Sequence, residues 1–249
     1  MTSHAIPWCN SMALTPREIG LNLAQVRQRI DAAARESGRK ASDIRLIAVS
    51  KRMTADCVAA AISAGQHCFG ENTLQDAKTK QMLIDAPENE WHFIGHLQSN
   101  KARVVVTQFD WLHTLDSLKL ATRLSDGAHP RAAPLKVLLQ VNIANDPDKY
   151  GLAPTTLDSF IENLLQSELA GIELQGLMTI GQRTASLDQR RREFTALREL
   201  GTQCAAKFGA HHFRELSMGM SDDFETAIAE GATMIRVGST IFGARPAVD

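Results

Sequence analysis

The stretch FRELSMGMSDDFETAIAEGATMIRVG, residues 213–238, contains a predicted strand at 213–217, a predicted helix at 223–230 and a second predicted strand at 234–238. The same alternation of short apolar runs and helical segments extends over the rest of the chain. The other predicted strands are 45–51, 67–71, 91–95, 111–115, 136–143 and 173–179, and the helices that follow them are 55–64, 73–82, 98–106, 117–126, 154–168 and 187–207. Strands that alternate with helices are parallel and are joined by right-handed crossovers. Eight such units in a chain of 249 residues therefore predict a closed (β/α)8 TIM barrel.

An open doubly wound sheet is the competing fold. Such a sheet usually carries a G-x-G-x-x-G turn after its first strand, and VSKRMT at 49–54 has no such turn. An additional helix precedes the first strand, because Thr15 and Glu18 have capping-box spacing, Pro16 suits the first helical position and Gly38 suits the end. We therefore expect one α/β domain at 15–249 with an extra N-terminal helix, and a frayed extension at 1–14.

The composition excludes several classes of function. The net charge of -1 and a pI near 6.7 argue against nucleic-acid binding, which usually requires a basic face. The sequence contains no apolar stretch of the roughly 20 residues that span a bilayer. Four scattered cysteines without a C-x-x-C pair, and no secretory leader, are typical of reduced cytoplasmic thiols. We expect a cytoplasmic protein that is a monomer, or at most a weak dimer, because a closed barrel buries its own core.

The first predicted strand ends on a lysine. In LIAVSK, residues 46–51, period-two alternation places Ile47, Val49 and Lys51 on one face. Functional groups of these barrels lie at the carboxyl ends of the strands, where a desolvated lysine amine can attack a carbonyl carbon. A lysine that extends to solvent from the strand end is the alternative, and position alone leaves both interpretations open.

The last predicted strand supplies a complementary group. Met234, Arg236 and Gly238 share one face, so Arg236 is expected to point into the barrel near its top. Gly238 and Ser239 begin a turn of small residues, whose backbone N–H groups could bind a phosphate.

A similar turn follows the seventh predicted strand, where Ser217, Met218 and Gly219 precede a helix that we expect Ser221 to cap. A single turn of this kind is usually only a turn. Two of them, after the last two strands and beside an inward arginine, favour a phosphate site, which recurs at this place in TIM barrels.

Four motifs carry a resemblance to a known family: LIAVSK (46–51), FGEN (69–72), HFIGHLQSNK (92–101) and ELSMGMSDDFETAIAEGATMIRVGSTIFG (215–243). Together, and in this order, they resemble the YggS/PROSC family, the pyridoxal 5′-phosphate (PLP) homeostasis proteins. The resemblance extends from about Leu46 to Gly243, nearly the whole predicted barrel. It implies the fold of the alanine racemase N-terminal barrel and PLP bound to Lys51 as a Schiff base.

The resemblance also implies roles for other residues. It places Asn72 beside the cofactor ring, and Lys149 and Gly151, in NDPDKYGL, at the rim. The phosphate end would be surrounded by the set Ser217, Arg236, Gly238 and Ser239. Apart from the resemblance, a methionine such as Met218 is more often a packing residue than a cofactor contact, but its backbone N–H could also contribute there.

Two further features are candidates for a metal ligand and for a base. His92 and His96 are four residues apart, but no third ligand has metal spacing, so we predict no metal site. Glu71 could act as a base, but a solvated carboxylate at a strand end explains it equally well.

The sequence leaves two classes of function to compare, an amino-acid racemase of low activity and a PLP carrier. Racemisation needs a second acid or base opposite the lysine, and in barrel racemases a tyrosine from an additional β domain provides it. The chain ends about ten residues after its eighth predicted strand and has one tyrosine, Tyr150. We therefore expect a non-enzymatic carrier that stores, shields and delivers PLP, with transient contacts to PLP-dependent apo-enzymes. A Schiff-base aldolase is a weaker third interpretation.

Overall fold

Eight parallel strands form a closed barrel in the computed structural model, which describes residues 14–128, 133–182 and 184–244. The strands follow one another around the barrel in chain order, and the eighth pairs with the first. The prediction of a (β/α)8 barrel is therefore confirmed. The strands are β1 Arg45–Val49, β2 Cys68–Glu71, β3 Glu90–Phe93, β4 Trp111–Leu115, β5 Leu135–Gln140, β6 Ile172–Met178, β7 Glu215–Met220 and β8 Met234–Val237.

The helices surround this barrel. They are α1 Pro16–Glu36, α2 Ala55–Ser63, α3 Leu74–Leu83, α4 Ala102–Gln108, α5 Leu118–Ala128, α6 Leu157–Gln166, α7 Leu187–Phe208, α8 Phe224–Ala229 and α9 Ser239–Phe242. None of them is both long enough and apolar enough to cross a membrane.

The extra N-terminal helix, α1, begins as predicted. The Thr15 hydroxyl accepts the Glu18 N–H at 3.3 Å, and the Thr15 N–H donates to the Glu18 carboxylate at 2.7 Å, which completes a capping box. Gly38, just beyond the helix end, has φ +69°, a conformation that glycine adopts without strain. The predicted frayed extension lies outside the described residues except for Leu14.

The core has an outer and an inner part. Most buried apolar residues form one layer between the strands and the helices, and Ile235 and Val237 belong to it. A second cluster fills the barrel interior and consists of Ile47, Trp111, Leu138, Met178 and Met234. Ile47 and Met234 thus point inward while their strand neighbours point outward, which confirms the period-two alternation predicted for β1 and β8.

The structure differs from the prediction at several element ends. β1 ends at Val49, so Lys51 lies in the turn beyond it, and the turn after β8 contains the short helix α9. The prediction that Ser221 caps a helix is wrong, because α8 begins at Phe224 after Asp223. The Ser221 hydroxyl instead accepts the Gly238 N–H at 3.3 Å, and this contact between distant residues competes with local capping.

Candidate functional site

Lys51 lies in a tight turn at the carboxyl end of β1. The Met53 N–H donates to the Ser50 carbonyl at 2.9 Å, which closes a four-residue turn with Lys51 at its second position. Arg52, at the third position, has φ +64°, where side chains other than glycine are disfavoured. The turn leaves Lys51 half-buried, at the end of the barrel where TIM-barrel active sites lie.

The turn after β8 packs directly against the end of β1. A Cβ at Gly238 would lie 3.1 Å from the Val49 carbonyl oxygen and 3.3 Å from the Val49 Cβ, so a glycine allows this close approach. The N–H groups of Ser239 and Thr240 stand at the first two positions of α9, where the helix offers them no acceptor. Ser239 is exposed and Gly238 is half-buried, so these N–H groups are suited to an anion that approaches from solvent.

Four neighbouring strand ends bring the candidate residues together. β7, β8, β1 and β2 are consecutive in the barrel. Each strand is followed directly by candidate residues: β7 by Ser221, β8 by Gly238 and Ser239, β1 after one residue by Lys51, and β2 by Asn72. Sequence analysis assigned Ser221 only to a helix cap, and its bond to Gly238 depends on two turns that are distant in sequence.

Arg236 lies beneath this group as a buried cation. Its side chain donates to the Ser217 hydroxyl at 2.6 Å and to the Thr179 carbonyl at 2.9 Å. Burial lowers the pKa of Arg236 to about 10, although Asp223 raises it, so the guanidinium keeps its charge at neutral pH. Within the described ranges its direct partners are neutral oxygens, which leaves the positive charge for an acceptor that enters the site.

Ser217 and Met218, both predicted to contact the phosphate end, are fully buried. The Ser217 hydroxyl lies between the Arg236 guanidinium and Nδ1 of His113, 2.9 Å away. The Met218 side chain packs in the outer core. The structure therefore places Ser217 as a support of Arg236, and direct contact of either residue with a cofactor stays a prediction.

A line of polar side chains continues from Ser217 across the barrel. His113 Nε2 lies 2.9 Å from His92 Nδ1, and His92 Nε2 lies 3.6 Å from the Glu90 carboxylate. Burial lowers the pKa of His92, and burial together with His92 and Arg236 holds the pKa of His113 well below its ordinary value. Both rings are therefore neutral at neutral pH. Hydrogen bonds connect Arg236 through Ser217 and His113 to His92, and His92 Nε2 approaches Glu90 without a hydrogen bond.

The far end of this line contains a possible ligand set for a metal. One donor atom from each of Cys68, Glu90 and His92 lies within 4.8 Å of the others. Arg45 and Lys136 each lie 3.8 Å from the Glu90 carboxylate, and burial raises the pKa of the Cys68 thiol to about 11. A cationic neighbourhood and a protonated thiol are unfavourable for a cation. The absence of a metal site stays a prediction.

The two histidines weighed together in the sequence have different surroundings. His92 is fully buried in the barrel interior, whereas the His96 ring stacks on Tyr150 with centroids 3.6 Å apart. Near this stack, the Lys149 ammonium donates to the Gly181 carbonyl at 2.8 Å.

A buried ion pair lies behind the Lys51 turn. The Lys80 ammonium is 2.6 Å from the Glu71 carboxylate, and the two side chains are 2% and 0% exposed. The interpretation of Glu71 as a solvated strand end is therefore wrong. The local sequence pattern could not show this burial, because Lys80 reaches Glu71 from the neighbouring helix α3. The i, i+4 spacing of Asp76 and Lys80 indicates only an ion pair within that helix.

The raised pKa of Glu71 makes the stability of the protein depend on pH. Burial raises its pKa to about 7, although Lys80 lowers it, while the ordinary value is 4.5. Between these values the folded protein binds more protons than the unfolded chain, so this group makes the free energy of unfolding fall as pH rises.

The substitution Glu71→Gln removes the titrating group. We compare the free energy of unfolding of the variant minus that of the parent protein. We expect this difference to be more positive at about pH 8 than at about pH 5. Urea unfolding of both proteins at the two pH values measures this. An identical difference at both pH values would contradict the assignment.

The closed barrel and the residues at its carboxyl end define a protein of the alanine racemase N-terminal class. The family model described as "Alanine racemase, N-terminal domain" matches residues 21–246. The pyridoxal phosphate homeostasis protein of Escherichia coli (strain K12) is 44% identical over 232 residues, which cover 92% of this chain and 97% of that protein. The chain therefore belongs to the family of the pyridoxal phosphate homeostasis proteins, which confirms the resemblance found in the sequence.

Solved structures agree with this assignment. PipY of Synechococcus elongatus, in a structure with PLP bound, is 38% identical, with a TM-score of 0.80 over 90% of this chain and 100% of that chain. The alanine racemase of Corynebacterium glutamicum has 16% identity and a TM-score of 0.69 over 92% of this chain and 62% of the racemase. The racemase is therefore similar in fold alone.

Proposed function

We propose that this protein binds PLP covalently through Lys51 and acts in intracellular PLP homeostasis as a carrier that stores, shields and delivers the cofactor. The observation that supports the proposal is that Lys51 follows Val49, which packs against Gly238, at the carboxyl end of the strand that pairs with the strand of the buried Arg236. These residues fit the chemistry of PLP, because a lysine amine, free backbone N–H groups and a cation match its aldehyde, its phosphate and its acceptor atoms. The PLP-bound structure of PipY supports the binding of PLP.

Each residue has a distinct task in this proposal. The Lys51 amine would hold PLP through its aldehyde carbon, and the aldehyde oxygen would be released as water. The backbone N–H groups of Ser239, in the turn after β8, and of Met218, within β7, would orient the phosphate, and Gly238 would leave space for it. Asn72 would lie beside the ring. When bound, PLP supplies an electron sink for amine substrates.

Arg236 has two alternative partners on PLP, and one of them would weaken that electron sink. Its charge can pair with the phosphate, or with the pyridine nitrogen. In the second arrangement the arginine disfavours protonation of the ring nitrogen, which weakens the electron sink. A weak electron sink suits a carrier, because bound PLP then resists reaction with amino acids.

A racemase of low activity is the alternative, and it is favoured only by the shared fold. The single tyrosine, Tyr150, is 57% exposed and stacks on His96, an arrangement that does not suit a proton donor enclosed with the substrate. The names of the close relatives describe homeostasis and not racemisation. We therefore propose that the protein has no enzymatic activity beyond weak residual PLP chemistry.

One experiment with two measurements tests this function. The PLP-loaded protein, freed of unbound PLP, is mixed with an apo-enzyme that requires PLP, and separately with L-alanine. We expect the enzyme activity to appear, and we expect chiral chromatography to detect no D-alanine at an enzymatic rate. Turnover of about 1 per second or faster, the low end of ordinary enzymes, would contradict the carrier function. Cytoplasmic location, a monomeric state and transient contact with apo-enzymes stay predictions.

A further inference from the structure

We propose that Asp76 and Lys80 of α3 are positioning residues for Lys51, because they bind the backbone groups on both sides of it. The inference rests on the proposed function, since it concerns the amine that would bind the cofactor. It adds a second layer of residues that the family resemblance did not supply.

The contacts form a clamp, a name used here for Asp76 and Lys80 together. The Lys80 ammonium donates to the Ser50 carbonyl at 2.6 Å, and the Asp76 carboxylate accepts the Arg52 N–H at 2.7 Å. The two clamp residues are themselves 3.0 Å apart at i, i+4 spacing. One face of α3 therefore fixes the residue before Lys51 and the residue after it.

The turn needs this support because its backbone is strained. Arg52 has φ +64°, which glycine adopts freely and other residues adopt at a cost in free energy. In this conformation the Arg52 N–H donates to the Asp76 carboxylate, and this charge-assisted hydrogen bond offsets part of the cost. Strain of this kind is often found where a functional residue is held in place.

Lys80 is itself held firmly. Its ammonium has three donors, and it meets three acceptors: the Ser50 carbonyl, the Glu71 carboxylate and the Asp76 carboxylate. The Ser50 hydroxyl also donates to Glu71 at 2.6 Å. Because a buried charge without partners is costly, the ammonium has little freedom to move, and the turn is tied through Glu71 to β2.

The clamp acts through the backbone and not by contact with a ligand. Ser50 continues the ladder one residue beyond β1, and its hydroxyl meets the buried Glu71 carboxylate on the side of α3, where Lys80 also lies. Lys80 is only 2% exposed. The predicted effect of the clamp is therefore on the orientation of the Lys51 amine.

The test measures the rate at which the protein forms a borohydride-reducible bond with pyridoxal, which lacks the phosphate. We expect Asp76→Ala and Lys80→Met to slow this reaction about fivefold or more, the factor that one hydrogen bond of about 1 kcal/mol supplies. Lys78→Met removes an exposed lysine of the same helix and is the matched control, with an unchanged rate expected. Asp76→Asn keeps an oxygen acceptor for the Arg52 N–H and should retain most of the rate.

A double substitution separates positioning from general stability. Glycine adopts φ +64° without strain, so Asp76→Ala should slow the reaction less in an Arg52→Gly background than in the parent protein. Circular dichroism confirms folding, and Asp76, whose side chain is 27% exposed, can be replaced even if Lys80→Met does not fold.

Two outcomes would count against the account, and they are distinct. If the parent protein forms the bond on Lys51 but Asp76→Ala reacts at the parent rate, or Lys78→Met is slowed as much as Lys80→Met, the clamp is not a positioning device. If the parent protein forms no reducible bond on Lys51 at all, the proposed function fails, and the role of the clamp fails with it.

Discussion

Lys51→Ala is expected to abolish the covalent, borohydride-reducible binding of PLP while leaving the barrel folded. Alanine has no amine, so the bond to the aldehyde cannot form. Lys51 is half-buried in a turn outside both hydrophobic clusters, so its truncation does not open the core. The visible absorption band of the bound cofactor reports the loss, and far-ultraviolet circular dichroism reports the fold.

Lys119→Ala is the control for this substitution. Lys119 is an exposed lysine near the start of α5, the helix that follows the carboxyl end of β4. We expect this variant to keep the reducible band. If Lys51→Ala keeps the band as well, the covalent site lies on a different lysine.

Arg236→Gln is expected to weaken PLP binding about tenfold or more. A hydrogen bond to a charged group contributes about 1.5–3 kcal/mol, and glutamine removes the charge while it keeps a polar group of similar length. Lys51 can still form its bond, so the variant binds PLP but releases it faster. Dialysis against buffer, with the visible band followed over time, measures the release.

A second ligand distinguishes the two partners that Arg236 could have. If the guanidinium pairs with the phosphate, Arg236→Gln weakens binding of PLP but not of pyridoxal. If it pairs with the ring nitrogen, both ligands bind more weakly. Arg191→Gln, at a side chain that is 61% exposed, is the matched control. An Arg236→Gln protein that retains PLP as long as the parent would mean that Arg236 has a structural role only.

The parts of the fold that depend on short-range patterns could be predicted from the sequence. Period-two alternation correctly predicts that Ile47 and Met234 point inward and that Ile235 and Val237 point outward. Strand ends were less certain, because a run such as 136–143 remains apolar after its ladder has ended at Gln140. The position of Lys51 at the barrel top was predictable, but the turn that carries it was not.

The supporting contacts of the site could not be predicted in this way. The clamp, the Ser221 bond to Gly238 and the line from Ser217 through His113 each join residues from different elements. Alternation says which side of a strand a residue occupies, but it does not say which residue of the next strand or helix it meets. Family resemblance assigned Ser217 to the phosphate end, but in the folded protein its hydroxyl is hydrogen-bonded to Arg236 and His113.

The most direct measurement of the central claim is borohydride reduction of the PLP-loaded parent protein, followed by peptide mapping by mass spectrometry. Reduction converts the bond between lysine and cofactor into a stable secondary amine, so the modified peptide identifies the lysine. The account predicts loss of the visible band on reduction and one modified peptide, which contains Lys51. Modification of another lysine with Lys51 unmodified, or loss of the cofactor on denaturation after reduction, would contradict it.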